Sequence, residues 1–187
     1  MDVWLIRHTE VAVEPGTCYG RSELELKPTF ADEVEALRAQ LPERFDRILS
    51  SPLSRCTRLA ESFGAFDTDA RLLEYDFGDW EMQAWDDIDQ PSLNEWMQDF
   101  VNQRPPNGET VVEMQARVDE FLEHLRQQAH ERVLVATHSG VIRCVWASLL
   151  QMPPAHMFKI HVGYGTALRL TLGDNPELDV IHPGNGR

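Results

Sequence analysis

Short apolar runs alternate with segments of helical spacing along most of the chain. Val3-Trp4-Leu5-Ile6 ends abruptly in Arg7-His8-Thr9-Glu10, the pattern of a buried strand that delivers polar residues at its carboxyl end. Beyond Pro28, the residues Phe30, Val34, Leu37 and Leu41 recur at helical spacing until Pro42 closes the segment. Arg47-Ile48-Leu49 predicts a second strand. The Ser50-Ser51-Pro52 after it opens a helix through Leu53, Cys56, Ala60 and Phe63, with a serine as candidate cap and proline in the first turn. Leu72-Leu73 is a candidate third strand. The stretch 76–106 is rich in Asp, Gln, Trp and Pro and weakly periodic, an excursion with some helix around Leu93, Trp96, Met97 and Phe100. Asn107-Gly108 breaks the chain before Thr110-x-x-Glu113, a capping box ahead of Val111, Met114, Val118, Phe121, Leu122 and Leu125. Arg132-Val133-Leu134-Val135-Ala136 is another buried strand, ending in Thr137-His138-Ser139-Gly140, and 141–150 is the helix leaving it. Two strands, 167–172 and 178–181, flank the turn Gly173-Asp174-Asn175-Pro176.

Strands alternating with helices predict an α/β sandwich with a mainly parallel sheet, whose ligands bind beyond the carboxyl ends of the strands. A length of 187 residues predicts one domain spanning 1–187, with the acidic excursion at about 76–106 as an elaboration. Two of the predicted strands end in a histidine, and one of these, His8, follows an arginine.

Charge narrows the partners. The net charge is −14, which speaks against nucleic acid bound through a basic surface. No apolar run approaches the ~20 residues of a membrane span, and Met1-Asp2-Val3-Trp4 lacks a basic leader. A cytoplasmic location with no membrane partner is expected, and the oligomeric state is unspecified. Cys18, Cys56 and Cys144 are odd in number and have no C-x-x-C spacing, so they read as buried thiols. Residues 61–131 carry 18 acidic and four basic side chains, most simply a solvated face, otherwise an acidic cap over a site. Of the basic residues only Lys27 and Lys159 are lysine; the rest are arginine, whose planar fork suits carboxylate and phosphate.

Seven histidines are present. His124, His130, His156, His161 and His182 show no i, i+4 pairing that would suggest a metal, and read as structural or solvated. His8 and His138 stand at strand ends, where the ligand crevice forms. Arg7 adjoins His8, and Arg55 follows the second strand in Ser51-Pro-Leu-Ser-Arg55. Two guanidinium groups beside an imidazole would hold phosphoryl oxygens and keep the ring neutral, with one nitrogen free to attack. The bland alternative pairs both arginines with nearby carboxylates.

Five segments in order tip the balance: Leu5-Ile6-Arg7-His8-Thr9-Glu10, Ser51-Pro-Leu-Ser-Arg55, Leu73-Glu74-Tyr-Asp-Phe-Gly78-Asp-Trp-Glu81, Gly108-Glu109-Thr110 and Val135-Ala-Thr-His138-Ser-Gly140-Val141. Together they resemble the histidine phosphatase superfamily, in its phosphoglycerate-mutase-like branch. Tyr19-Gly20-Arg21-Ser22-Glu23-Leu24-Glu25-Leu26 further resembles a segment of α-ribazole phosphatases of cobalamin biosynthesis. The resemblance implies a three-layer α/β/α sandwich and a hydrolase that acts on a small phosphorylated metabolite without metal or other cofactor. It makes His8 the nucleophile, Arg7, Arg55 and His138 the phosphoryl clamp, and Glu74 the proton donor. Asp76, Asp79 and Glu81 compete for that last role. Thr9, Tyr19, Gly20, Arg21 and Ser139 become expected substrate-binding residues.

Two positions depart from the family pattern. Thr9 stands where glycine is usual, and Glu14 where asparagine is common; a carboxylate there would repel phosphate unless it points away. A mutase that retains the phosphoryl group is a second reading, and a non-catalytic phospho-ligand binder a third. Other phosphotransfer and hydrolase signatures fail on named residues: Arg71 ends the Asp67-Thr68-Asp69 run, Leu24, Ser62 and Leu150 occupy the arginine place of C-x5-R, and Thr137 and Val141 replace the glycines of a nucleophile elbow.

Overall fold

A computed structural model describes residues 1–182, so the last five positions of the expected 1–187 domain lie outside the described residues. The strands are β1 (Asp2–Arg7), β2 (Arg47–Ser50), β3 (Asp67–Thr68), β4 (Arg132–Thr137), β5 (Ala167–Thr171) and β6 (Val180–His182). They form one sheet in the order β3-β2-β4-β1-β5-β6. The first three pairings, β3 with β2, β2 with β4 and β4 with β1, are parallel, and the tail adds β5 and β6 antiparallel. The helices are α1 (Phe30–Arg38), α2 (Ser54–Glu61), α3 (Gln90–Gln98), α4 (Val111–Arg126) and α5 (Ser139–Leu149).

The unbroken apolar runs of β1 and β4 exist because both sheet faces are covered. Val3, Leu5, Val133 and Val135 pack on one face with Met114, Val118, Phe121, Val141 and Val145 of α4 and α5. Trp4, Ile6, Leu134 and Ala136 pack on the other with Val34, Leu37, Cys56 and Leu59 of α1 and α2. This is the expected three-layer α/β/α sandwich. All three cysteines are buried free thiols, and no described helix is long and apolar enough to cross a membrane.

Two local expectations are corrected. Leu72 and Leu73 are not a strand: Ala70–Leu72 is a short 3-10 turn capped by Asp69, whose side chain accepts from the Arg71 amide, and the third strand is Asp67–Thr68. The apolar pair reflects core burial of Leu72, not strand periodicity. The helix after β2 is not capped by its preceding serines either. Leu53 is its N-cap residue, and the Ser54 amide at its start is held instead by the carboxylate of Glu23. The Thr110–Glu113 capping box forms as expected.

The excursion has its own small core. Cys18, Trp80, Ile88 and Leu93 pack together with Phe77, Trp85 and Trp96 against them, and Cys18 exchanges backbone hydrogen bonds with Met82 and Gln83 at 2.8 Å each. The loop after β1 and the excursion are thereby joined over the carboxyl end of the sheet.

Candidate active site

Parallel pairing of β1 with β4 sets Arg7 opposite Thr137, and the His8 amide donates to Thr137 O (3.0 Å). Each strand releases its histidine one residue later, so the rings of His8 and His138 meet with centroids 5.2 Å apart. Both are buried. Arg55, in the first turn of α2, is fully buried as well.

The His8 ring has a defined tautomer. Its Nδ1 lies 2.8 Å from Thr9 O, and a carbonyl can only accept, so Nδ1 carries the proton and Nε2 keeps its lone pair. Burial first, then the nearby guanidinium of Arg55 and that of Arg7, hold the His8 pKa well below the ordinary histidine value. His138 is likewise shifted well down, by burial and then by the proximity of His8 and the arginines. Its Nε2 lies 2.7 Å from Ser51 Oγ.

Neither clamp arginine pairs with a carboxylate among the described residues. Arg7 donates to Val162 O (2.7 Å) and Arg55 to Ser22 O (2.7 Å) and Gly20 O. Arg7 Nε, Arg55 Nε and Thr9 Oγ1 are buried without any hydrogen-bond partner. Three orphaned donors on residues around one imidazole are costly unless an acceptor joins them, and an oxyanion group meets that need. Glu14 is exposed, so the unfavourable carboxylate is turned to solvent.

Glu74 is separated from its three competitors by what each touches. Asp76 accepts from the Gly78 amide and pairs with Arg21, Asp79 accepts from Asn107, and Glu81 accepts from the amides of Arg21, Ser22 and Phe77. Glu74 alone of the four lines the adjoining cavity. Its carboxylate accepts from the amides of Tyr75 (3.0 Å) and Gly140 (3.1 Å) and from Ser139 Oγ (3.3 Å), at the start of α5. A β-carbon on Gly140 would lie 2.2 Å from Glu74 Oε1, so only glycine admits this approach.

The expected substrate-binding residues divide. Thr9 is buried beside His8, and Tyr19 and Ser139 line the cavity. Gly20 contributes its carbonyl to Arg55, and a β-carbon there would strike Tyr75 O at 1.9 Å. Arg21 stands outside the cavity lining, paired with Asp76 and Glu109 and donating to Glu74 O. The acidic stretch is therefore more than a solvated face. Asp69, Asp76, Glu81 and Glu109 hold arginines or backbone amides around the site.

Sequence reading missed Tyr164, Arg143 and the aromatic wall. The Tyr164 ring covers the Arg7 guanidinium at 3.9 Å, and its hydroxyl meets that of Tyr19 at 2.5 Å. The cavity holds about 230 Å³ and is walled by Tyr75, Phe77, Trp85, Trp96 and Phe158, with Arg143 on its rim of polar groups. A tyrosine between two glycines ahead of β5 was the available signal for Tyr164; the wall has none, because its residues between 75 and 96 meet Phe158 only in the fold.

Comparison with known proteins identifies the family and the fold. The family model described as the histidine phosphatase superfamily (branch 1) matches residues 3–178. The adenosylcobalamin/alpha-ribazole phosphatase of Salmonella typhimurium is 31% identical over 176 residues, covering 88% of this chain and 87% of that protein. The crystal structure of the alpha-ribazole phosphatase from Shigella flexneri superposes with a TM-score of 0.88 at 27% identity, covering 97% of this chain and 95% of that one. A mycobacterial glucosyl-3-phosphoglycerate phosphatase shares the fold, with a TM-score of 0.79 at 22% identity over 96% of each chain.

Proposed function

The chain belongs to the histidine phosphatase superfamily and is a phosphatase; from that premise we propose that it is a phosphomonoesterase working through phosphohistidine on His8, with α-ribazole 5′-phosphate as substrate. The observation that carries the mechanism is the His8 hydrogen bond to Thr9 O, which leaves a neutral ring with a free Nε2 lone pair among buried cations. Nε2 attacks phosphorus as the bond to the leaving oxygen breaks. Arg7, Arg55 and His138 spread the charge on the three non-bridging oxygens. Glu74 gives a proton to the leaving oxygen. As a carboxylate it then takes a proton from the water that cleaves the phosphorus–nitrogen bond, returning neutral His8 and inorganic phosphate.

The aromatic cavity beside Glu74 supports a leaving group that carries a flat ring, and the 31% identity to an adenosylcobalamin/alpha-ribazole phosphatase supports the substrate. The test is hydrolysis of α-ribazole 5′-phosphate in excess EDTA, with His8→Ala alongside. Turnover should survive the chelator and fall by about a thousandfold or more in the variant. Turnover that survives His8→Ala, or tight binding of the substrate without turnover, contradicts the proposal.

A further inference from the structure

Among the described residues, Arg143 is the one charged side chain lining the cavity that the phosphoryl chemistry leaves unused. It lies on α5, four residues beyond Ser139 and three beyond Gly140, so the helix turns it to the same face as the Glu74 carboxylate. The side chain is half-buried. Its Nε donates to Ile160 O at 3.0 Å, and its guanidinium carbon lies 5.5 Å from the Phe158 ring centroid. These two contacts fix the plane of the fork. Its two terminal nitrogens, however, meet no acceptor among the described residues, in a protein with 31 carboxylate side chains. Among the described residues, carboxylates pair with Arg21, Arg71, Arg117 and Arg126, and none pairs with this one, which lines a cavity.

We propose that Arg143 is a specificity-determining residue that donates to a ring-edge acceptor of the leaving group, selecting planar heteroaromatic alcohols with an unprotonated ring nitrogen over carbocyclic ones. This rests on the phosphatase reading above and names the leaving-group chemistry within it. The aromatic wall supplies stacking surface that any flat ring satisfies. Discrimination must come from a polar group that is left unpaired by the wrong ligand. The electron-rich π faces disfavour an anionic ring, so a neutral acceptor is the better match to a lone guanidinium here.

An isosteric pair of substrates tests this, 1-naphthyl phosphate and isoquinolin-5-yl phosphate at neutral pH. Wild-type kcat/KM should favour the isoquinoline by about tenfold or more, and Arg143→Met and Arg143→Gln should bring the ratio to about one. An unchanged ratio in both variants, or no preference in the wild type, overturns the proposal. Equilibrium binding of the free alcohols, 5-hydroxyisoquinoline and 1-naphthol, followed through the fluorescence of Trp85 and Trp96, reads the same preference without turnover. A binding preference for the isoquinoline that Arg143→Met abolishes, in a protein that hydrolyses neither ester, would uphold the role of Arg143 and count against the proposed hydrolysis through His8 instead.

Discussion

One hydrogen bond, His8 Nδ1 to Thr9 O at 2.8 Å, decides which ring nitrogen can attack. The contact uses the Thr9 carbonyl, which any residue would supply, so the departure from glycine at this position leaves the tautomer intact and adds a buried hydroxyl. Glu74 is held just as specifically, by two amides and a serine hydroxyl, in a space that exists because residue 140 has no β-carbon. If Glu74 protonates the leaving oxygen, Glu74→Gln should lower kcat/KM for alkyl phosphates by about a hundredfold or more, and for 4-nitrophenyl phosphate by less than about tenfold. Equal losses on both would assign the proton elsewhere. His8 and His138 were legible in the sequence because each follows an apolar strand. Arg143 and Tyr164 were not, since nothing local distinguishes an arginine on a helix or a tyrosine in a loop until distant segments close around them.

At the scale of elements, the segment bearing Glu74 has no regular structure and is held from outside. Arg117 on α4 donates to three of its carbonyls, Arg71 O (2.7 Å), Leu73 O (2.6 Å) and Glu74 O (3.2 Å), while its fork pairs with Glu109 at 2.6 Å. Glu109 in turn accepts from the Asp76 amide and pairs with Arg21. Lysine keeps the charge but cannot fan out to these partners. Arg117→Lys should therefore lower kcat by about tenfold or more through misplaced Glu74, with KM changed far less; an unaltered kcat would show that the segment holds its own shape. The capping box and apolar face of α4 made the helix readable from the sequence. Its role as a clamp was hidden, because Arg117 occupies an ordinary polar position. The Leu72-Leu73 pair misled for a related reason: a turn pinned by Asp69 and Arg117 can bury leucine without being a strand.

Over the whole molecule, the two site histidines tie folding to pH. The fold keeps both neutral, so the unfolded chain binds more protons once the pH falls below the ordinary histidine value of 6.5. Stability should decline from about pH 6.5 downward, with a slope of up to about 1.4 kcal/mol per pH unit for each histidine. The carboxylates with depressed pKa, Asp2, Asp69 and Glu81 among them, lose their contribution only at lower pH, as they protonate below the ordinary carboxylate range. Urea unfolding across pH 5–7.5 checks this. A flat profile would mean that the histidines are not held neutral. The sandwich itself was readable from the alternation of strands and helices, since β1 and β4 must be apolar on both faces to lie at its centre.

In the proposed mechanism phosphorus passes through His8. Rapid acid-free quenching of the protein turning over a 32P-labelled substrate, followed by peptide mapping, tests it most directly. An acid-labile, base-stable phosphoryl group is expected on the peptide carrying His8, formed and discharged at rates that support turnover and missing from His8→Ala. Turnover with no label on His8, or label on another residue, would contradict it.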